Sequence, residues 1–347
     1  MTTIIDSLSA TLAFNYGVEI DPNVVSTIPF ESPLFDYLEA GPGAPHRSLS
    51  QAAVYALLTA ADFTASNDGS FAAGGDPPGL STTRSIQSIT KKSYGAQSGL
   101  KDIDIIASQM GIAPHALDGQ PYRDDAEFLL NLLYVRTRQA LDWAIIRGDS
   151  NALPNNFDGL EYKVTAANGS QVLEVDGTLT KAKVDELVIQ MLIQGITPTA
   201  IACNPVAMSS LTKAYTTDAG GGTNVSVNMN MGEGQQTLGY FAGSIMTPAG
   251  KLPIIQDRRF TVEGTAPTFT TDVFLLTREH MGEQILYLDW QVMPTALNLA
   301  RAIGYYTSSL FAVWSHLALV EKSNWFAQGR LSDCVVVYSP TPPTPTA

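Results

Sequence analysis

The spacing of apolar and polar positions changes several times along the chain, and each change predicts an element. From Tyr122 to Ile146 neither glycine nor proline interrupts the sequence. Leu129, Leu132, Leu133, Ala140 and Trp143 fall on one helical face, and Leu130, Tyr134, Leu141 and Ile145 on another. Asp124, Glu127, Asn131, Arg138 and Asp142 form a polar stripe between them. This predicts a helix over about 122–148, with Asp124 as N-cap, Asp125 in the positive first turn, and Arg147 and Gly148 closing it. At 1.5 Å per residue it runs roughly 35–40 Å, a spine with sheet or loop packed across it. Farther on, Val184, Leu187, Val188, Met191 and Leu192 repeat at helical spacing behind Thr180 as a cap, with Gly195 at the end. Thr199–Cys203 reads as a short buried strand, and Asn204-Pro205 opens another helix, proline costing nothing at its first position. Further strands are expected at Val172–Val175, Leu238–Met246, Leu252–Gln256 and Asp272–Thr277, and Gln284–Val337 is aromatic and strand-rich. Gln51–Ala61 reads as a short helix. Asn156–Glu161 reads as a turn into a strand, with Asp158 bonding its own backbone.

Other stretches lack a core-forming pattern. Residues 1–45 are punctuated by Pro22, Pro29, Pro33, Pro42 and Pro45 and read as an irregular arm whose short apolar pieces, such as Pro33-Leu-Phe35, dock elsewhere. Asp62 to Ala107 holds a turn-rich run from Ser66 to Gly79 and then polar β-ribbon with no large apolar face. A two-stranded ribbon is marginal alone in water, so the simplest account is that another subunit supplies the missing contacts. Asp218 onward reads as a flexible loop, and Ser339–Ala347 as a polyproline-type extension.

Composition narrows the classes. The 347 residues hold 20 Lys+Arg and 33 Asp+Glu, a net charge of −13, and only 15% are charged. That acidity argues against phosphate neutralisation on nucleic acid, and no stretch approaches the roughly 18 apolar residues of a membrane span. The N-terminus lacks the basic region of a signal peptide. Cys203 and Cys334 lie far apart and form no CxxC pair, which suits a reduced cytosol. His46, His115, His280 and His316 stand in unrelated segments without metal-ligand spacing. Ser88-Ile-Thr-Lys91 fits SxxK but lies in the ribbon with no KTG after it, and Gly220-Gly-Gly222 and Gly232-Glu-Gly234 open no helix after a strand. The carboxylate pairs Asp102/Asp104 and Asp124/Asp125 read as a solvated edge and a helix start. No catalytic residue, cofactor or metal site is assigned.

The order of arm, polar ribbon, spine helix, compact α/β unit and returning strands resembles the HK97-fold major capsid proteins of tailed bacteriophages. The resemblance covers about Ile28 to Val337. It rests on Ser32-Pro-Leu-Phe-Asp-Tyr37, on the helix running through Arg147-Gly-Asp149 into Asn156-Phe-Asp-Gly-Leu160, on Ala200-Ile-Ala-Cys-Asn-Pro205 and on Thr247-Pro-Ala-Gly-Lys-Leu-Pro-Ile-Ile255. It implies an α+β fold divided into an N-arm (1–45), an E-loop β-ribbon and its approach (46–107), a P-domain with the spine helix (108–177), a compact α/β A-domain (178–283) and returning strands with a Pro-rich tail (284–347). It also implies self-assembly as hexamers and pentamers into an icosahedral shell around double-stranded DNA, held without sequence-specific binding and without a membrane. Assembly is expected in the host cytoplasm and the mature location in the virion. A separate scaffolding protein is expected, because only about 45 residues precede the E-loop, together with a portal and a decoration protein. Some family members crosslink an E-loop lysine to a neighbour's asparagine, but no matching Asn or Glu motif stands near Lys91, Lys92 or Lys101. The candidate inter-subunit contacts are Arg84, Lys91, Lys92 and Lys101, opposite a neighbour's Asp124 and Glu127, and reversing Lys91 and Lys92 to Glu is expected to impair assembly while leaving folding intact. The alternatives are an encapsulin-type compartment shell, a cytosolic α/β enzyme built on residues 178–283, and a tail or decoration protein.

Overall fold

The computed structural model describes residues 31–41, 44–63, 80–101, 115–117, 120–122, 125–208, 210–211, 243–280, 282–299 and 308–337. The expectations for residues 1–30, 64–79, 102–107, 218–236 and 339–347 lie outside the described residues, as does most of the strand expected at Leu238–Met246. In chain order the elements begin with α1 (Pro33–Glu39), β1 (His46–Arg47), β2 (Ala52–Phe63), β3 (Leu80–Thr90), β4 (Lys92–Lys101), β5 (His115–Leu117), β6 (Gln120–Tyr122) and α2 (Asp125–Arg147). Next come α3 (Leu160–Lys163), β7 (Gln171–Thr178), α4 (Lys181–Ile193), β8 (Ala200–Cys203), β9 (Ser244–Thr247), β10 (Gly250–Gln256) and β11 (Val262–Thr265). The last are β12 (Thr268–Leu276), β13 (Glu279–His280), β14 (Glu283–Gln284), β15 (Leu286–Leu299), β16 (Ser308–Glu321) and β17 (Gly329–Val337). The chain divides into two units. One comprises Met1–Ser32, Lys92–Trp143 and Trp290–Leu317, and the larger one comprises Pro33–Lys91, Ala144–Asp289 and Ala318–Ala347.

The larger unit is organised by a seven-stranded sheet in the order β7-β17-β12-β8-β10-β9, with β11 beside β12. The β7–β17 and β8–β10 pairs are parallel, and β12 runs antiparallel to both β17 and β8. β8 is central and buried at all four residues, which is why its sequence shows no alternation. α4 starts where Thr180 accepts a hydrogen bond from the Lys183 amide, and it turns Val184, Leu187, Val188 and Met191 into the core with cysteines 203 and 334. Burying those four side chains contributes about 6–12 kcal/mol before chain entropy is subtracted. The helix can come this close because β17 begins with glycine. A Cβ at Gly329 would lie 2.9 Å from Met191 Sδ and 3.2 Å from Leu275 Cβ. After α4, the Val206 amide donates to Asn204 Oδ1 at 3.0 Å, and residues 205–208 are helical as expected.

In the smaller unit β4 pairs antiparallel with β16 from Lys92↔Leu317 to Lys101↔Ser308. Leu129 and Leu133 of α2 pack with Phe311 and Val313 of β16, flanked by Ala96, Leu130 and Tyr134.

Several local expectations are overturned. Gln51–Ala61 is not a helix: it forms β2, whose alanine and leucine content favours a helix in isolation but whose ladder with β3 overrides that preference. The ribbon is therefore β2 with β3, and β4 leaves it to join β16. The arm is not irregular throughout, because Pro33 opens α1 and buries Leu34, Phe35 and Leu38. Tyr37 then bonds Thr199 through its hydroxyl at 2.7 Å. Asn156–Glu161 leads into the short helix α3 instead of a strand. Asp158 reaches past its own turn, accepting from the Ser150 amide at 2.7 Å and pairing with Lys163 at 2.9 Å. Burial alone would raise its pKa, but the Ser150 and Lys163 hydrogen bonds outweigh it and hold the carboxyl below its ordinary value. On the spine helix, Asp142 is fully buried whereas Ala140 and Trp143 of the expected apolar face are exposed. Leu141, Asp142, Ala144, Ile145 and Ile146 are all covered, so the end of α2 has no single solvated stripe.

Candidate inter-subunit surface

Among the described residues, the β2–β3 ribbon packs on the rest of its unit at its root. Its register runs Ala52↔Thr90, Ala53↔Ile89, Val54↔Ser88, Tyr55↔Gln87, Ala56↔Ile86, Leu57↔Ser85 and Leu58↔Arg84, then shifts between Leu58 and Ala60. Opposed residues share a face, so Ala53, Tyr55 and Ile89 form one side and Val54, Ala56, Ile86, Ser88 and Arg84 the other. The first side packs on Tyr287, Ala318 and Val320. The Tyr55 hydroxyl donates to the Glu321 carbonyl at 2.8 Å, and burial pushes the phenol up to about 12. The other side faces solvent, with Val54 63% and Ile86 79% exposed. An irregularity in the ladder adds bend and twist to the ribbon beyond this point. Among the described strands β2 and β3 pair only with each other, and apolar side chains exposed on such a ribbon are a surface that another chain can cover.

The ribbon root is polar and dry. Lys91, in the single-residue gap between β3 and β4, is 2% exposed. Its ammonium donates to the Ser48 carbonyl and hydroxyl, both at 2.8 Å, and lies 3.0 Å from Asp289 Oδ2. Ser48 Oγ in turn donates to the same carboxylate oxygen at 3.1 Å. Nearby, His46 Nε2 lies 2.6 Å from Gln284 Oε1 and its ring lies against Tyr287.

Of the residues singled out from the sequence, Arg84 is exposed on the solvent-facing side of the ribbon, and Lys92 is half-buried at the start of β4. Lys101 ends β4 and Glu127 lies in the first turn of α2, but their side chains are outside the described residues, as is Asp124. Lys91 is different. Its charge is committed within the chain, so a glutamate there would face Asp289 in a dry site, and folding would not be left intact. The structure withdraws Lys91 from the set of contacts offered to a neighbour. Sequence reasoning missed Ser48, Tyr55 and Asp289, which meet Lys91 and Glu321 across separations of 43 to 266 residues in the hydrogen-bond pairs they make. The available hint was a charge-poor ribbon holding two adjacent lysines.

Residues 131–298 match the family model of the SU10 major capsid protein. Three solved structures share the fold over nearly the whole chain. The cyanophage A-1(L) capsid asymmetric unit has a TM-score of 0.59 at 11% identity, covering 92% of this chain and 98% of that one. The capsid of the native GTA particle has a TM-score of 0.58 at 12% identity, covering 91% and 94%. The holo-SrpI encapsulin complex from Synechococcus elongatus PCC 7942 has a TM-score of 0.56 at 14% identity, covering 98% and 99%. The chain is similar to the major capsid family over residues 131–298, and it has the HK97-type fold shared by phage capsids and encapsulin. No curated protein sequence matches it. The structural likenesses establish the fold for phage capsids and encapsulin alike, and it is the family match that favours the capsid. The expected α+β class and the resemblance drawn from the sequence agree with these findings.

Proposed function

We propose that the chain is the major capsid protein of a tailed double-stranded DNA bacteriophage, self-assembling as hexamers and pentamers into an icosahedral shell around the genome. The observation that carries the proposal is the β2–β3 ribbon, packed at its root and apolar on its solvent side, in a chain whose residues 131–298 match a major-capsid family model. In this reading residues 46–107 are the E-loop laid over a neighbouring copy. Residues 1–45 are the N-arm, 108–177 the P-domain, 178–283 the A-domain near the capsomer axis, and 284–347 the returning strands and tail. Contacts of this kind use different patches on the two partners, so they close into rings, and rings tile a shell. Arg84, Lys92 and Lys101 meet acidic residues of the neighbour, with Asp124 and Glu127 as their counterparts. The net charge of −13 keeps the wall from gripping packaged DNA through counterion release. A separate scaffolding protein, a portal and a decoration protein complete the particle, which assembles in the host cytoplasm. The subunit carries out no catalysis.

The test is the mass of the purified protein by light scattering, with negative-stain images of the same fractions. Megadalton particles of uniform diameter, or rings of five and six, support the proposal. A species that stays monomeric or dimeric under crowding and high salt overturns it. The encapsulin fold neighbour gives the second reading, in which the shell loads protein cargo instead of DNA. Nucleic acid in particles from the native host supports the phage capsid, and a packaged enzyme supports the compartment.

A further inference from the structure

We propose that the Lys91–Asp289 ion pair is a latch that sets the direction in which the β2–β3 ribbon leaves the subunit. Breaking it on one side frees the ribbon to swing about its root. The proposal deepens the reading of the ribbon as the surface offered to a second copy, and rests on that reading for its role in assembly.

Three observations converge on Lys91. Its backbone amide donates to the Gln51 carbonyl at 3.0 Å, one step past the last rung Ala52↔Thr90, so the residue that ends the ladder also carries the ion pair. Its ammonium has three protons, and three acceptors surround it: Ser48 O, Ser48 Oγ and Asp289 Oδ2. These tie together the approach to β2, the exit from β3 and strand β15, and their side chains exclude water, with 0% and 8% of the Lys91 and Asp289 side chains exposed. A buried pair is a poor source of net stability compared with apolar packing, but it demands one geometry, because a displaced ammonium leaves charges unpaired in a dry site.

The ribbon is built to amplify what happens at this point. Among the described side chains its inner side packs through Ala53, Tyr55 and Ile89, while β2 continues to Phe63 and β3 returns from Leu80. The eight residues of β2 after Tyr55, at roughly 3.3 Å each, carry the ladder about 25 Å farther from Lys91. A rotation of about 10° at the root therefore moves the far end by roughly 4 Å, close to the spacing between adjacent strands. A neighbour that binds the ribbon reads that displacement directly, so the latch governs the angle between copies.

The test is hydrogen–deuterium exchange on the full unassembled chain, followed by imaging of assembled particles, for wild type, Lys91→Met and Ser48→Ala. In Lys91→Met, amides of residues 52–57 and 85–90 are expected to exchange about tenfold faster or more, with α4, β12 and β17 unchanged. Ser48→Ala, which leaves both charges in place, is expected to give a smaller increase in the same segments. Particles of Lys91→Met are expected to show a broadened range of diameters. Unchanged ribbon exchange in Lys91→Met, or a loss of protection spread through α4 and β17, overturns the latch. If Lys91→Met does not fold, Ser48→Ala decides alone, and unchanged ribbon exchange there overturns it. If wild type forms no particles while the exchange pattern appears as expected, the latch stands and the assembly reading of the ribbon fails.

Discussion

Replacing Gly159 by alanine isolates the close backbone approach that ends the spine helix. Gly159 has φ −91° and ψ −176°, extended values open to any residue, so its identity is not required by backbone conformation. Space is the constraint. A Cβ there would lie 2.7 Å from the Ala144 carbonyl oxygen, 2.7 Å from the Gly148 nitrogen and 2.8 Å from the Ile145 carbonyl oxygen. Ordinary contact begins near 3.4 Å, so three backbone atoms must each yield about 0.6–0.7 Å. None is the end of a flexible side chain. Moving them also stretches the hydrogen bond from the Gly159 amide to the Gly148 carbonyl, now 2.8 Å. Overpacking of this kind costs about 1–3 kcal/mol and a lost backbone bond about 0.5–1.5 kcal/mol. The smaller entropy of the unfolded alanine chain offsets about 0.4–1 kcal/mol. The expected net loss is about 2–3 kcal/mol. With an m-value near 3 kcal/mol/M, urea unfolding followed by tryptophan fluorescence and circular dichroism should show a midpoint about 0.7–1 M lower. Gly177→Ala is the control, because its Cβ would meet only the Val175 carbonyl oxygen at 3.8 Å. Equal midpoints for the two variants would refute the steric argument.

Three further outcomes test other parts of the molecule. Glu321 is buried, and burial raises its pKa although Ser323, the Trp325 amide and Gln328 donate to its carboxylate. A raised carboxyl contributes stability that is present at pH below the ordinary carboxyl range and lost as pH rises through the folded value. Melting temperatures from pH 4 to 8 should thus show wild type losing ground to Glu321→Gln as pH rises, and the opposite trend would mean that the three donors outweigh burial. Asp158 has the reverse sign: its depressed pKa gives stability present at neutral pH and lost as pH falls through the folded value, so the deficit of Asp158→Asn should shrink in acid, and a constant deficit would refute the pairing with Ser150 and Lys163. Arg330 holds Asp272 at 2.5 Å and the Glu161 carbonyl at 3.1 Å in a partly buried site, so Arg330→Met should cost about 1–3 kcal/mol in urea unfolding; a cost near zero would mark the pair as no better than a surface ion pair.

The elements legible in the sequence are those specified by neighbours within a few positions. Thr180 and the Val184–Met191 repeat specify α4 because a cap and a helical apolar stripe are both local. Asn204-Pro205 marks a helix start for the same reason, and the long run without glycine or proline marks α2. The polar stretch from Asp62 to Ala107 was expected to take its partner from another subunit, but β4 within it pairs with β16 of the same chain. Everything that depends on distant partners was settled by the tertiary structure. Gln51–Ala61 has helix-forming residues, yet it is a strand because β3 offers a ladder and Tyr287, Ala318 and Val320 cover one side of it. Lys91 and Lys92 are identical in sequence terms, but the first, in the break between β3 and β4, turns inward to Asp289, nearly two hundred positions away, and the second, at the start of β4, is half-buried. Asp142 follows a polar stripe in sequence and is buried in the fold, because the covering of the end of α2 is not a property of the helix itself. Periodicity and capping act over one or two turns, whereas strand partners and the burial of charge are chosen by whichever residues chain topology brings alongside.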